Sequence, residues 1–106
     1  MSDLVPALEA ALPRGRVRAR PIDLAAYASD ASVYRIVPRA VVSPHDLADV
    51  RAVLEVARAQ RVGVTFRAAG TSLSGQAVGP GVIVDLSRGW RRVEVAVNGG
   101  RVRVEP

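Results

Sequence analysis

A chain of 106 residues that is 49% hydrophobic and 24% charged is at most one soluble globular domain, or part of one, and not a disordered segment. Aromatic content of 4% leaves Val, Leu, Ile and Ala to build the core, and the lack of cysteine excludes disulfides and thiolate-bound metals. The net charge of +5 rests wholly on arginine, which supplies all 15 basic residues.

The arginines cluster at Arg14, Arg16, Arg18 and Arg20, and again at Arg88, Arg91, Arg92, Arg101 and Arg103. A nucleic-acid surface would use such charge against phosphates. No aromatic platform is interleaved with it, and no recognition-helix or zinc-finger pattern is present. A solvated face, or an interface with further polypeptide, is the better reading, with no nucleic-acid partner. Asp3 and Glu9 stand where a secretory leader would be basic or apolar. No run approaches the roughly 18 consecutive apolar residues of a membrane span. With cysteine absent as well, a cytoplasmic location is expected.

In chain order, Leu4, Leu8 and Leu12 recur every fourth residue and predict a helix over 2–12, stopped by Pro13 and Gly15. Residues 22–37 show no clear period and are expected to be irregular. Residues 1–37 thus form a helix and lead-in ahead of the main unit over 38–106. Ala40-Val41-Val42, bounded by Pro38 and Pro44, predicts a short strand. A helix over about 44–61 follows, with Ser43 as N-cap, Pro44 in the first position and Asp46 completing a capping box. Leu47, Val50, Leu54 and Ala57, with Val53 beside them, are its expected apolar stripe, and Gly63 its stop.

Val64-Thr65-Phe66 predicts a strand, and a Gly- and Ser-rich loop runs from Arg67 to about Gly81. Val82-Ile83-Val84-Asp85-Leu86 reads as a strand too continuously apolar to face water on either side. The C-terminal segment is an expected hairpin with Asn98-Gly99 as a type I′ turn. That turn sets Val97 opposite Gly100, Val95 opposite Val102, Val93 opposite Val104, and Glu94 opposite Arg103. A shift by one residue would oppose Glu94 and Glu105, a like-charge clash. The valine-rich strand just before Pro106 implies that the natural polypeptide continues. The elements compose an α+β unit: a small β-α-β-β arrangement with a C-terminal hairpin.

The loop Arg67-Ala68-Ala69-Gly70-Thr71-Ser72-Leu73-Ser74-Gly75-Gln76-Ala77 is where chemistry concentrates. Small residues let backbone N–H groups converge on one point, as a phosphate requires, and Thr71, Ser72 and Ser74 add hydroxyls. Each hydrogen bond to a charged oxygen contributes about 1.5–3 kcal/mol. A Walker A loop is excluded, because Gln76 and Ala77 stand where Lys and Ser/Thr are needed. The Rossmann glycine fingerprint is absent. On composition alone, a plain surface loop between strands stays open.

The chain resembles the FAD-binding (PCMH-type) domain of the vanillyl-alcohol oxidase/p-cresol methylhydroxylase flavoprotein family. Within it, the chain is most similar to the D-lactate and glycolate dehydrogenase branch. The likeness runs from about Tyr27 to Glu105 and rests on Asp30-Ala31-Ser32-Val33-Tyr34, Pro38–Pro44, Arg67–Gln76 and Val82–Leu86. It implies that the chain is the first, pyrophosphate-binding part of that domain. Arg67, Ala68, Ala69, Gly70, Thr71, Ser72, Leu73, Gly75 and Gln76 then belong to the pyrophosphate loop. Pro38, Ala40 and Val41 would lie towards the adenine. Many relatives have Gly in place of Ala68 and Ala69, which are tolerable only if they avoid positive φ. Some carry a His in place of Thr71 and bind flavin covalently, so Thr71 implies non-covalent FAD.

The resemblance also implies oxidation of a 2-hydroxy acid such as D-lactate or glycolate. Substrate- and isoalloxazine-binding parts would come from the remainder of the flavoprotein or a companion subunit, leaving no catalytic residue here. The alternatives are a stand-alone dinucleotide- or phosphate-binding module and an Arg-rich nucleic-acid binder. His45 is expected to be inert, Asp30 and Tyr34 to serve turn and packing roles, and Trp90 to anchor packing.

Overall fold

The leucine repeat forms α1 (Leu4–Ala11), with Leu4 and Leu8 fully buried and Leu12 nearly so. The computed structural model describes residues 3–106, so Ser2, the expected first residue of this helix, lies outside the described residues. Two elements then appear that periodicity did not signal: β1 (Val17–Arg18) and α2 (Pro21–Ala26). Pro21 occupies the first helical position, and the Arg20 backbone N–H donates to the Asp23 carboxylate (3.2 Å). That is the capping signature sought at Ser43, on a helix too short to show an apolar stripe. The irregular reading of residues 22–37 is therefore corrected over 22–26.

β2 (Ala40–Val42), β3 (Val64–Arg67) and β4 (Val82–Asp85) form with β1 a four-stranded sheet in the order β1-β2-β4-β3. β4 pairs parallel with both neighbours, matching Val42 with Val84 on one side and Phe66 with Val84 on the other. β1 lies antiparallel on β2. Ala40, Val42, Val82 and Val84 join Leu4, Leu8, Leu12, Leu86 and Val53 in one core. Val41 and Ile83, which alternate to the other face, are equally buried. The expectation for Val82–Leu86 holds: every residue of that run is buried.

The helix α3 (Leu47–Ala59) starts later than expected, capped by Asp46, whose side chain accepts from Asp49 N–H (2.9 Å). Ser43 and Pro44 are not its N-terminus because they serve the sheet. Ser43 N–H donates to Arg16 carbonyl, and Pro44 carbonyl accepts from Trp90 Nε1 (2.7 Å). Its buried face is also rotated from the expected stripe. Asp49, Val53 and Ala57 point inward, while Leu47 is 74% exposed and Leu54 43%. Asp49 accepts from Arg16 Nε (2.8 Å) and from His45 N–H (2.9 Å), and these bonds turn the helix. Its end is corrected too: Arg61 (φ 54°), not Gly63, takes the left-handed capping position, and Val62 N–H returns to Ala57 carbonyl.

β5 (Val93–Val95) and β6 (Val102–Val104) pair in the expected register, with Glu94 opposite Arg103. Their turn is not type I′. Gly99 N–H donates to Ala96 carbonyl (2.8 Å), so Val97 and Asn98 are the central residues and Val97–Gly100 form a four-residue loop. Gly99 alone carries positive φ, and Asn98 accepts from Gly100 N–H through its side chain instead. Trp90, packed against the core, is the anchor expected of it. No helix among the described residues is long and apolar enough to cross a membrane.

A left-handed conformation costs a non-glycine residue about 1–2 kcal/mol, part of which glycine's own chain entropy offsets. Arg61→Gly is therefore expected to stabilise the fold by about 0.5–1 kcal/mol. Urea unfolding checks it: the midpoint should rise with an unchanged slope.

Candidate functional site

Three parallel strands end at one edge of the sheet, and the glycine-rich loop leaves from that edge after Arg67. Crevices outside the carboxyl ends of parallel strands are where ligands of such sheets bind. Arg67 itself turns back under the loop. Its Nη1 donates to Ser29 carbonyl (2.8 Å) and Ala77 carbonyl (3.4 Å), and its guanidinium lies over the Tyr27 ring, 5.2 Å from the centroid.

Gly70 (φ 68°) crosses directly above that guanidinium: a Cβ there would lie 2.6 Å from Arg67 Nη2. Gly75 (φ 78°) meets Tyr34 in the same way, with Cδ2 2.7 Å from a built Cβ. Both positions need glycine twice over, for conformation and for space. Ala68 and Ala69 avoid positive φ, since Arg61 is the one non-glycine residue with it among the described residues. The condition set by their methyl groups is met.

Around Gly70 the backbone donors are unspent. Among the described hydrogen bonds, the N–H groups of Ala69, Gly70, Thr71, Ser72 and Leu73 donate to no protein acceptor. Ser72 Oγ accepts from Ser74 and Gln76 N–H (3.2 Å each) and donates to Gln76 Oε1, which closes the loop's far side. Arg67, Ala68, Ala69, Gly70, Thr71, Ser72, Leu73, Gly75 and Gln76 are thus brought into one folded loop. Pro38, Ala40 and Val41 lie apart from it: all three are buried, and no described hydrogen bond joins them to Arg67–Gln76. The link is indirect, from Arg39 N–H to Gly81 carbonyl (2.8 Å), where the chain enters β4.

A depression of about 350 Å³ at this edge is lined by Tyr27, Arg67, Ala68, Ala69, Asp85 and Ser87. Asp85, 1% exposed, is its floor and was not anticipated as a site residue. It accepts from Tyr27 Oη, from Arg18 Nη2 (3.4 Å) and from Ser87 N–H (2.8 Å). Burial pushes its pKa up, but the bonds from Ser87 and Tyr27 and the Arg18 charge outweigh burial and hold it below the ordinary 3.8. It is an ionised anchor, with its oxygens taken, rather than a proton donor. The sequence did hold a signal: a lone carboxylate within an apolar strand must be partnered. His45, by contrast, is exposed and precedes α3.

Asp49 behaves alike: burial raises its pKa, Arg16 and His45 N–H lower it, and the net shift is downward. A carboxyl depressed in the folded state contributes stability above its unfolded pKa and loses it as pH falls through the folded one. Stability is expected to be level above the ordinary value of 3.8 and to fall below it. Urea midpoints measured between pH 6 and pH 2 check this. Asp85→Asn should flatten that profile and destabilise the chain at neutral pH by about 2–3 kcal/mol, since bonds to a charged acceptor are weakened.

Comparison with known proteins gives this geometry a family. A protein-family model described as FAD binding domain matches residues 38–106. The D-2-hydroxyglutarate dehydrogenase of Escherichia coli (strain K12) is 41% identical over 81 residues, which are 73% of this chain and 8% of that enzyme. Glycolate oxidase subunit GlcD of the same strain is 39% identical over 77 residues, 71% of this chain and 15% of the subunit. The xylooligosaccharide oxidase from Myceliophthora thermophila C1 in complex with xylobiose superposes with a TM-score of 0.80 at 20% identity. That overlap covers 99% of this chain and 23% of the oxidase, and it shows a shared fold. The chain belongs to the FAD-binding domain family of the vanillyl-alcohol oxidase/p-cresol methylhydroxylase flavoproteins, and its α+β fold is of the PCMH type.

Proposed function

We propose that this chain grips the pyrophosphate of FAD through the backbone N–H groups of Ala69–Leu73, as part of an oxidoreductase that acts on a 2-hydroxy acid. The observation that carries the reading is the run of unspent N–H groups over Ala69–Leu73, about the left-handed Gly70, set at the carboxyl edge of a parallel sheet. Backbone amides suit a doubly charged pyrophosphate, and the Thr71 hydroxyl extends the donor set. Pro38, Ala40 and Val41 serve the adenine side by holding β2 against β4. Thr71 offers no nucleophile of the imidazole kind, so the flavin is held without a covalent bond.

The printed names of the relatives supply the substrate class, since D-2-hydroxyglutarate and glycolate are both 2-hydroxy acids. FAD, when bound, would supply the hydride acceptor for such an oxidation. This chain contributes binding and orientation. The substrate site belongs to the remainder of the flavoprotein or to a companion subunit, in the cytoplasm.

Calorimetric titration of the chain with FAD, with ADP and duplex DNA as competitors, tests the reading. FAD should bind, ADP should compete and DNA should not. Gly70→Val places a branched side chain against the Arg67 guanidinium and forbids φ 68°. Losing two charge-assisted bonds of about 1.5 kcal/mol each predicts a roughly 100-fold weaker FAD affinity. A folded chain indifferent to FAD would overturn the assignment. Salt-sensitive DNA binding in its place would make the arginines the functional feature.

A further inference from the structure

We propose that residues 27–36, which precede the residues 38–106 matched by the family model, form a strap whose Asp30 and Tyr34 are positioning residues for the FAD pyrophosphate loop. The inference rests on the flavin reading above and adds to it the element that shapes the site.

A long loop without regular structure does not hold a donor array by itself, and a binding site needs its first contacts braced by a second layer. Here the bracing comes from one short segment and touches the loop at successive points. Arg67 Nη1 reaches Ser29 carbonyl, and Ala31 N–H donates to Gly70 carbonyl (3.1 Å). Asp30 Oδ2 accepts from Ala77 N–H (3.2 Å), at the loop's far end. The Tyr34 ring fills the space beside Gly75 that any side chain would need. The start, middle and end of the loop are all referred to one frame.

The frame is braced in its own right. Asp30 Oδ1 accepts from Ser32 N–H (2.8 Å) and from Ser32 Oγ, and that hydroxyl oxygen accepts in turn from Tyr34 N–H (3.1 Å). Ile36 N–H returns to Ala28 carbonyl (2.9 Å), and Ser29 bridges Arg35. Neither residue serves the core. Tyr34 is 56% exposed, and Asp30 is spent on backbone N–H groups and one hydroxyl rather than on an ion pair. A large ring kept at the surface over a glycine, and a carboxylate spanning to the loop's end, have the geometry of shims.

The test uses the full chain and its Asp30→Ala, Tyr34→Ala and Tyr34→Phe variants. FAD affinity is measured by calorimetry, thermal midpoint without ligand, and amide order parameters at Gly70–Leu73 by NMR. Asp30→Ala and Tyr34→Ala should each weaken FAD binding by roughly tenfold or more. Order at Gly70–Leu73 should fall from about 0.85 towards 0.6, with the thermal midpoint held within about 3 °C. Tyr34→Phe, which keeps the ring, should match the parent in all three. Parent-like affinity and order in both alanine variants would overturn the strap alone, leaving the flavin reading intact. Weaker binding that merely tracks a lowered thermal midpoint would overturn it too, as ordinary destabilisation. A parent chain that binds no FAD would overturn both.

Discussion

Parallel pairing of β3 with β4 is the constraint from which the rest of this structure descends. A chain that leaves Arg67 at one edge of the sheet must travel to the opposite edge before Val82 can begin a strand in the same direction. Between β2 and β3 the helix α3 makes that return. Between β3 and β4 no helix does, and the whole distance is covered by the glycine- and serine-rich loop. The donor array exists because topology demands a crossover there, and composition makes the crossover an open, folded loop instead of a helix. The same pairing places the Asp85 carboxylate opposite Arg67, at the edge where the loop departs.

That edge carries a compact electrostatic knot. The Tyr27 ring is flanked by two guanidiniums, Arg18 at 5.0 Å and Arg67 at 5.2 Å, while its hydroxyl donates to the buried Asp85. Arg18 also reaches Ser43, where β2 ends. One aromatic ring therefore joins the exits of β2, β3 and β4 to the lead-in around α2. Cation–π contacts contribute about 0.5–2 kcal/mol each, more as water is excluded. Here their larger consequence is geometric, since Tyr27 and the carbonyls of Ser29 and Ala77 together place the Arg67 guanidinium beneath Gly70.

What sequence reasoning could reach divides along the range of the interactions involved. The strands at Ala40–Val42 and Val82–Asp85 were legible because buried parallel strands are short apolar runs, and the half-exposed Val64–Arg67 because β-branched and aromatic residues resume after a helix stop. The hairpin register was legible because one alternative opposed two glutamates. The stretch from Arg67 to Ala77 was legible as an open loop through Gly70, Gly75 and its small residues. The rotation of α3 was not, because Arg16, 33 residues from Asp49, turns it. Nor was the Asp85 floor, whose partners Tyr27 and Arg18 are 58 and 67 residues distant. Asp30 and Tyr34 looked like turn residues, which they are locally. Their hold on Ala77 and Gly75 exists only in the folded chain.

The arginines teach the same point about charge. In linear order, Arg14 to Arg20 resembles a basic patch for a polyanion. In the fold, Arg16 pairs with Asp49, Arg18 with Asp85 and Arg20 with Asp23, at 2.8, 3.4 and 2.9 Å. The lead-in thus spends three successive arginines as clamps, each on a carboxylate that the fold has buried. A buried carboxylate is costly unless its charge is matched, and guanidinium serves best because its planar fork can satisfy several acceptors at once. Arg18 Nη2 alone lies within reach of Tyr27 Oη, Ser43 Oγ and Asp85 Oδ2. The positive charge of Arg16 and Arg18 is therefore directed inward, where it ties the edge strand β1 and the helix α3 to the sheet that carries the loop.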